Sequence, residues 1–255
     1  MPDAVVLAGG TESGELFEAT GLAYRPLLEV GGRPIIHRVL AALRGATSVG
    51  QVILVAPPEV HQAVGDEAVD HRVTASESFV ENVVGGVEAV SAEASSVLVV
   101  TGDLPLLTPA AVNDLCQQAA LAHADAVYPI IPRESCERAF PGGKRTYVRL
   151  REGVFTGGNV MVLARDFVSR RRELVDHLFA SRKNPLKLAA MFGLGFVLGV
   201  VTHRLTLPQL EARAGKIIHG RVAAVITTYP ELGFDVDKVS DLLLARQVAE
   251  GFPLG

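Results

Sequence analysis

Three places along the chain carry residues whose types and spacing suit phosphate and metal chemistry. An apolar run closes on Leu7-Ala8-Gly9-Gly10-Thr11. Adjacent glycines after a buried strand let backbone N–H groups approach an anion closely, as a phosphate cradle requires; the same pair also serves a plain strand-to-loop turn. A polar loop leads on to Arg25-Pro26-Leu27-Leu28, and Gly31-Gly32-Arg33-Pro34 opens a helix. This is no dinucleotide fingerprint, because GxGxxG cannot be placed on Gly9, Gly10 and Gly14, and no Walker loop, because no GK[ST] follows. The second place is Thr101-Gly102-Asp103-Leu104-Pro105. An Asp at the C-terminal tip of a buried parallel strand projects its carboxylate into the binding crevice, where it suits a hard cation such as Mg²⁺ or else caps a loop or helix start. The third is Gly233-Phe234-Asp235-Val236-Asp237-Lys238. Its carboxylates at i and i+2 either complete a metal site with Asp103 or cap the next helix.

Other chemistries find less support. Cys116 and Cys136 are the only cysteines and form no CxxC pair, which argues against a zinc ribbon or disulfide scaffold and fits a reducing compartment. His37, His61, His71, His123, His177, His203 and His219 show no ligand spacing, and neither a GxSxG elbow nor an HExxH pair is present. The net charge of −4 is spread along the chain without a basic stripe, so a nucleic-acid backbone is not an expected partner.

The elements that must position these residues follow from hydrophobic patterning. With 49% hydrophobic and 20% charged residues among 255, the chain has the composition of a folded protein. Short β-branched runs occur at Ala4–Leu7, Gln51–Ala56, Val97–Thr101, Ala126–Ile131, Asn159–Leu163 and Val222–Thr227. Helical patterns alternate with them at Ile35–Leu43, Phe79–Val90, Ala110–Ala122, Phe167–Phe179 and Val239–Ala249. Nearly all-apolar strands separated by amphipathic helices predict a doubly wound α/β fold with a mostly parallel, Rossmann-like sheet. No linker or internal repeat divides the chain, so residues 1–255 read as a single domain. Two segments break the rhythm: a polar, turn-rich excursion over the sheet at about 133–156, and an apolar helical segment at about 184–207. The N-terminus lacks a secretory signal, and the longest apolar run, Leu188–Val201, has fourteen residues against the roughly 20 of a membrane span, so a cytoplasmic protein is expected.

Taken in order, the motifs resemble a known family. Leu-Ala-Gly-Gly, Arg-Pro-Leu-Leu, Gly-Gly-Arg-Pro, Gly-Asp-Leu-Pro-Leu-Leu, Thr-Gly-Gly-Asn and Asp-Val-Asp-Lys-Val-Ser-Asp-Leu are similar to the nucleotidyltransferases of the GT-A-like fold. The molybdenum cofactor guanylyl- and cytidylyltransferases and the sugar-acid cytidylyltransferases are close comparisons, and the resemblance spans nearly the whole chain. It implies that Leu7, Ala8, Gly9, Gly10 and Thr11 lie along the nucleotide, and that Arg25 takes the place of a phosphate-binding Lys. It makes Asp103 a metal ligand at the end of the middle strand, with Asp237 as the second and Asp235 as its helper. Gly102 belongs to the same nucleotide site. Ser78, Asn82 and Gly86, in Ser-Phe-Val-Glu-Asn-Val-Val-Gly-Gly-Val, match the helix start that lines base and ribose, and Thr156, Gly157, Gly158 and Asn159 match the edge that receives the acceptor.

The activity so implied is Mg²⁺-dependent transfer of NMP from a nucleoside triphosphate to a phosphate or hydroxyl of a small-molecule acceptor, with release of pyrophosphate and with Arg25 and Asp103 as catalytic residues. The chain departs from the family at two points: Gly9-Gly10-Thr11-Glu12-Ser13-Gly14-Glu15 stands where the family reads Gly-x-Gly-Thr-Arg, so acids replace a cation, and Arg25 puts a planar fork where the family has the compact ammonium of a Lys. Either Arg25, Arg33, Lys144 or Arg145 supplies that charge, or the protein is a non-catalytic nucleotide-binding relative. A glycosyltransferase using a sugar nucleotide is a further alternative, weakened by the lack of a mid-chain Asp-x-Asp. The segment 184–207 reads as a core or homodimer-interface helix pair, as an apolar wall for the acceptor, or as a peripheral membrane contact flanked by Arg182, Lys183, Lys187 and Arg204.

Overall fold

In the computed structural model, residues 1–65, 69–170 and 205–251 are described. Most of the segment expected at 184–207, and the greater part of the helix expected at Phe167–Phe179, lie outside them.

The first half of the chain is a run of strand–helix units. β1 (Asp3–Leu7) leads through α1 (Glu15–Thr20) and the small ribbon β2 (Glu29–Val30) and β3 (Arg33–Pro34) to α2 (Ile35–Gly45). Then come β4 (Val52–Ala56), α3 (Pro58–Val64), β5 (His71–Thr74), α4 (Phe79–Glu88) and β6 (Ser96–Thr101). The second half begins with α5 (Pro109–Ala122), β7 (Ala126–Pro132) and α6 (Arg133–Ala139). It continues with β8 (Val148–Leu150), β9 (Gly153–Gly157), β10 (Val160–Ala164) and α7 (Arg165–Arg170). Beyond residue 204 come α8 (Leu207–Ile218), β11 (Val222–Ile226) and α9 (Val239–Gly251).

Among the described residues the main sheet runs β5-β4-β1-β6-β10-β7-β9-β8, with β11 on the other edge of β7. β5, β4, β1 and β6 are parallel, as are β7 and β11; β10 inserts antiparallel between β6 and β7. Alternate side chains of each strand feed opposite layers. Ala4 and Val6 join the core under α2 and α5, while Val5 and Leu7 join the one under α4 and α7. The fold is therefore doubly wound α/β, and its crevice lies beyond the C-terminal ends of β1 and β6.

The segment at 133–156 differs from the expected excursion over the sheet. Its start is helical (α6), and its end is the β8–β9 hairpin, which extends the sheet edge antiparallel to β7. Polar edge residues hide such strands from a hydrophobicity reading: Val148 and Arg149 are exposed, and only Leu150 is buried. β5 escapes notice for the same reason, since His71, Arg72 and Thr74 are exposed.

Candidate functional site

Three backbone constraints bring the carboxylates together. Gly102 N–H donates to the Leu7 carbonyl at 2.9 Å, holding the loop after β6 against the end of β1. A Cβ at residue 102 would lie 2.8 Å from Ala8 Cβ and 3.3 Å from Pro26 Cγ, so this approach requires glycine. On the other side Val236 N–H donates to the Asp103 carbonyl at 3.2 Å. Phe234 and Val236 are buried, with Phe234 packed on Phe140 at 4.5 Å between ring centroids. Asp235 and Asp237 alternate with these anchors and emerge into the crevice. One oxygen from each of Asp103, Asp235 and Asp237 lies within 4.8 Å of the others. Asp241, in the first turn of α9, accepts from the backbone N–H groups of Asp237 (3.2 Å) and Lys238 (3.1 Å), and so fixes the bend that presents Asp237.

Two guanidinium groups answer this charge. Arg25 opens a short 3-10 turn (Arg25–Leu27) anchored by buried Pro26. Its Nε donates to Glu12 Oε2 at 2.9 Å, while its Nη1 donates to Asp237 Oδ1 and stands 3.8 Å from Asp103 Oδ2. Arg145, in the turn after α6, pairs with Asp235 and lies over the Phe234 ring at 4.9 Å. Glu12 is held by Gly14 N–H (2.8 Å) and Ser13 N–H (3.1 Å), which together with Arg25 keep its carboxyl below the usual range. The carboxylates of Glu12, Asp103, Asp235 and Asp237 thus face the guanidinium groups of Arg25 and Arg145, and Asp241 adds a further negative charge beside Asp237, so acids outnumber these guanidinium groups.

That excess shows in the acidities. Burial pushes the Asp103 carboxyl up to about 6, with the Thr101 hydroxyl opposing and Asp235 reinforcing the rise. Asp237 is raised as well, by burial first and then by Asp235, against the pull of Arg25. Asp103 Oδ1 and the neighbouring Thr101 Oγ1 are both buried, and neither makes a well-formed hydrogen bond. A buried, unpaired carboxylate oxygen beside two further carboxylates fits a hard divalent cation, which takes oxygen ligands and repays their desolvation.

The residues expected along the nucleotide divide into two groups. Leu7 ends β1 and Ala8 follows it, with Ala8 N–H on the Val55 carbonyl at 2.8 Å. Gly10 faces open space, Gly9 packs near Ala75 and Asn82, and Thr11 bridges to Tyr24, closing the loop onto the Arg25 turn. Ser78 caps α4, accepting from Glu81 N–H at 3.3 Å. Asn82 is engaged at both ends of its amide: Oδ1 accepts from Ser76 N–H at 2.7 Å, and Nδ2 donates to the Ser76 carbonyl at 3.0 Å. It therefore shapes the loop before α4, with a second N–H and a second lone pair of the amide left over. Gly86 does not reach the crevice: it is buried under α4, where a Cβ would lie 2.3 Å from Val5 Cγ1. Its role in the structure is helix–sheet packing, which corrects its assignment to the nucleotide.

On the acceptor side, Asn159 N–H donates to the Leu232 carbonyl at 2.8 Å and Asn159 O accepts from Thr101 N–H at 3.3 Å, tying this edge to the strand that delivers Asp103. Tyr128, which drew no notice in the sequence, donates its hydroxyl to the Gly158 carbonyl at 2.6 Å. Thr156 and Gly157 border an apolar cavity of about 690 Å³ shared with Phe79, Val83, Met161 and Phe167. Glu12, Tyr128 and Asp241 line the candidate site without a role in the motif reading; Glu12, at the family's cation position, and Asp241, at the end of its motif, carried a positional signal, and Tyr128 carried none.

A doubly wound sheet whose crevice joins a glycine loop to a convergent carboxylate cluster fits the class of nucleotidyltransferases. Residues 4–226 match the MobA-like NTP transferase domain, and the chain belongs to that family. It is similar to a hypothetical transferase from Thermus thermophilus, with 38% identity over 94% of this chain and 99% of that one and a TM-score of 0.84. Two further likenesses concern the fold. One is to a CMP:2-keto-3-deoxy-manno-octonic acid synthetase complexed with CTP (18% identity, 98% of each chain, TM-score 0.66). The other is to a nucleotidyl transferase from Methanothermobacter (21% identity, 99% of each chain, TM-score 0.61). No helix among the described residues is long and apolar enough to cross a membrane.

Proposed function

We propose that the chain transfers NMP from a nucleoside triphosphate to a phosphate or hydroxyl of a small-molecule acceptor, releases pyrophosphate, and depends on Mg²⁺ held by Asp103 and Asp237 with Asp235 beside them. The observation that carries this reading is the orphaned Asp103 Oδ1 within the three-carboxylate cluster, beside Arg25 and the glycine loop. Bound there, the ion would neutralise charge on the α-phosphate and on the attacking oxygen. The protein's own groups bind and orient. The Gly9–Thr11 backbone and the Arg25 guanidinium face the departing pyrophosphate, and the Thr156–Asn159 edge receives the acceptor. Attack brings two anions together, so placement and charge suffice, and no protein nucleophile is needed.

A thermal-shift and calorimetric screen of CTP, GTP, UTP and ATP with and without Mg²⁺ tests the reading, because a ligand bound only by the folded chain raises its stability by mass action. One triphosphate should stabilise the protein in a Mg²⁺-dependent way, Asp103→Asn should abolish the effect, and pyrophosphate should appear when a metabolite pool is added. Unchanged Mg·NTP affinity in Asp103→Asn would refute the site. The Glu12 carboxylate, seated on the Ser13 and Gly14 amides, favours a second reading, a nucleotide-binding relative without turnover. Mg²⁺-dependent triphosphate binding without pyrophosphate release would identify it.

A further inference from the structure

The Arg25 guanidinium stands where a cation is wanted. A single nitrogen, Nη1, bonds Asp237 Oδ1 and lies 3.8 Å from Asp103 Oδ2, between two of the three carboxylates that converge. Meanwhile Nε is secured separately by Glu12 Oε2 at 2.9 Å. Glu12 itself has no freedom to follow, since its other oxygen is bound by the Ser13 and Gly14 amides. One edge of the guanidinium is thus tethered to the glycine loop, and the other rests among the metal-site acids.

We propose that Arg25 is a built-in counter-ion occupying the divalent cation's seat between Asp237 and Asp103 when no ion is bound, and that Glu12 is the positioning residue that keeps Arg25 at the phosphate loop once an ion displaces it. The inference rests on the metal reading proposed above. It gives the unusual pair a common purpose. A planar fork holds Glu12 through Nε and Asp237 through Nη1 at once from two nitrogens at a fixed separation, whereas an ammonium would have to reach both acids from one nitrogen. Glu12, the acid that stands where the family carries a cation, then serves as the anchor of its replacement. Cation entry frees Nη1 for the nucleotide's phosphates, while the Nε–Glu12 bond holds the head group nearby. Arg25 and the ion compete for Asp237 in the empty protein and cooperate once a triphosphate is present.

The test uses the full chain and metal alone. Mn²⁺ is titrated into metal-free protein and its free-ion signal followed by electron paramagnetic resonance. Arg25→Ala removes the competitor and should bind Mn²⁺ roughly tenfold more tightly than the unmodified chain, the worth of one charge-assisted hydrogen bond. Equal or weaker binding overturns the proposal. A general field effect of the lost charge is separated by ¹⁵N-arginine spectra of the unmodified protein, which also decide the matter should the variant not fold. As Mg²⁺ saturates, hindered rotation of the Arg25 Nη groups should be lost while the Nε signal keeps its hydrogen-bonded shift, and Glu12→Gln should lose that Nε shift. Saturable ion binding with unmoved Nη signals overturns this inference alone. If the unmodified chain and Arg25→Ala bind no Mn²⁺ and behave like Asp103→Asn, the metal reading falls and this inference with it.

Discussion

Asp103→Asn in metal-free protein should make the fold more stable while destroying the site. The Asp103 carboxyl titrates at about 6 in the folded chain against about 3.9 in an unfolded peptide, and each pH unit of separation corresponds to about 1.36 kcal/mol. The folded state keeps its proton through the window from about 4 to about 6, where the unfolded state has released it. Stability therefore falls as pH rises through that window, and the loss is complete above it. Ionising Asp103 at neutral pH then costs the fold about 3 kcal/mol, an upper figure for what an uncharged side chain recovers. Asn places an amide beside the acceptor oxygens of Asp235 and Asp237, so its donors find partners. With about 2–4 °C per kcal/mol for a chain of this size, Asp103→Asn should melt several degrees higher at pH 7.5 in EDTA. The gap should close by about pH 4, where both proteins are uncharged at this position. Saturating Mg²⁺ should raise the melting temperature of the unmodified chain and leave the variant where it was. The assay is thermal unfolding across pH, with and without metal. A variant less stable than its parent at pH 7.5, or a difference that ignores pH, would refute the claim that Asp103 is a largely desolvated, undercompensated charge.

Three other substitutions probe the arrangement around it. Arg25→Ala should weaken triphosphate binding more than monophosphate binding in Mg²⁺-saturated calorimetry, and equal losses would argue against a phosphate contact. Gly86→Ala should destabilise the fold by about 1–3 kcal/mol through overpacking against Val5, yet leave nucleotide affinity intact; a selective affinity loss would return Gly86 to the site. Asp241→Ala removes the acceptor that fixes the Asp237 bend. It should reduce Mn²⁺ affinity about tenfold, within the 10–100-fold range for groups that orient metal ligands, with a melting shift of only a few degrees. Unchanged Mn²⁺ affinity would leave Asp241 a plain helix cap.

What could be read from residue order was the information that is local. The apolar runs ending at Leu7 and Thr101 and the helices at Ile35, Phe79 and Ala110 announced themselves, because burial on both faces demands continuous hydrophobicity in a strand and a 3.6-residue period in a helix. The motif positions of Asp103, Asp235 and Asp237 were legible too, and in the fold they share one crevice. β5 and the β8–β9 hairpin were not legible, because edge strands carry exposed polar side chains and their pairing is a property of the neighbour. Gly86 looked like a site residue from the motif. Whether a glycine serves a ligand or a strand beneath it depends on what packs there. The pairing of Arg25 with Glu12 thirteen positions away and with Asp237 at a separation of 212 was decided by tertiary structure alone. Hydrophobic periodicity places elements, but the electrostatic partner of a side chain is set by which strand ends the topology makes neighbours. An acid that reads as a defect in the loop becomes an anchor once the fold puts a guanidinium beside it.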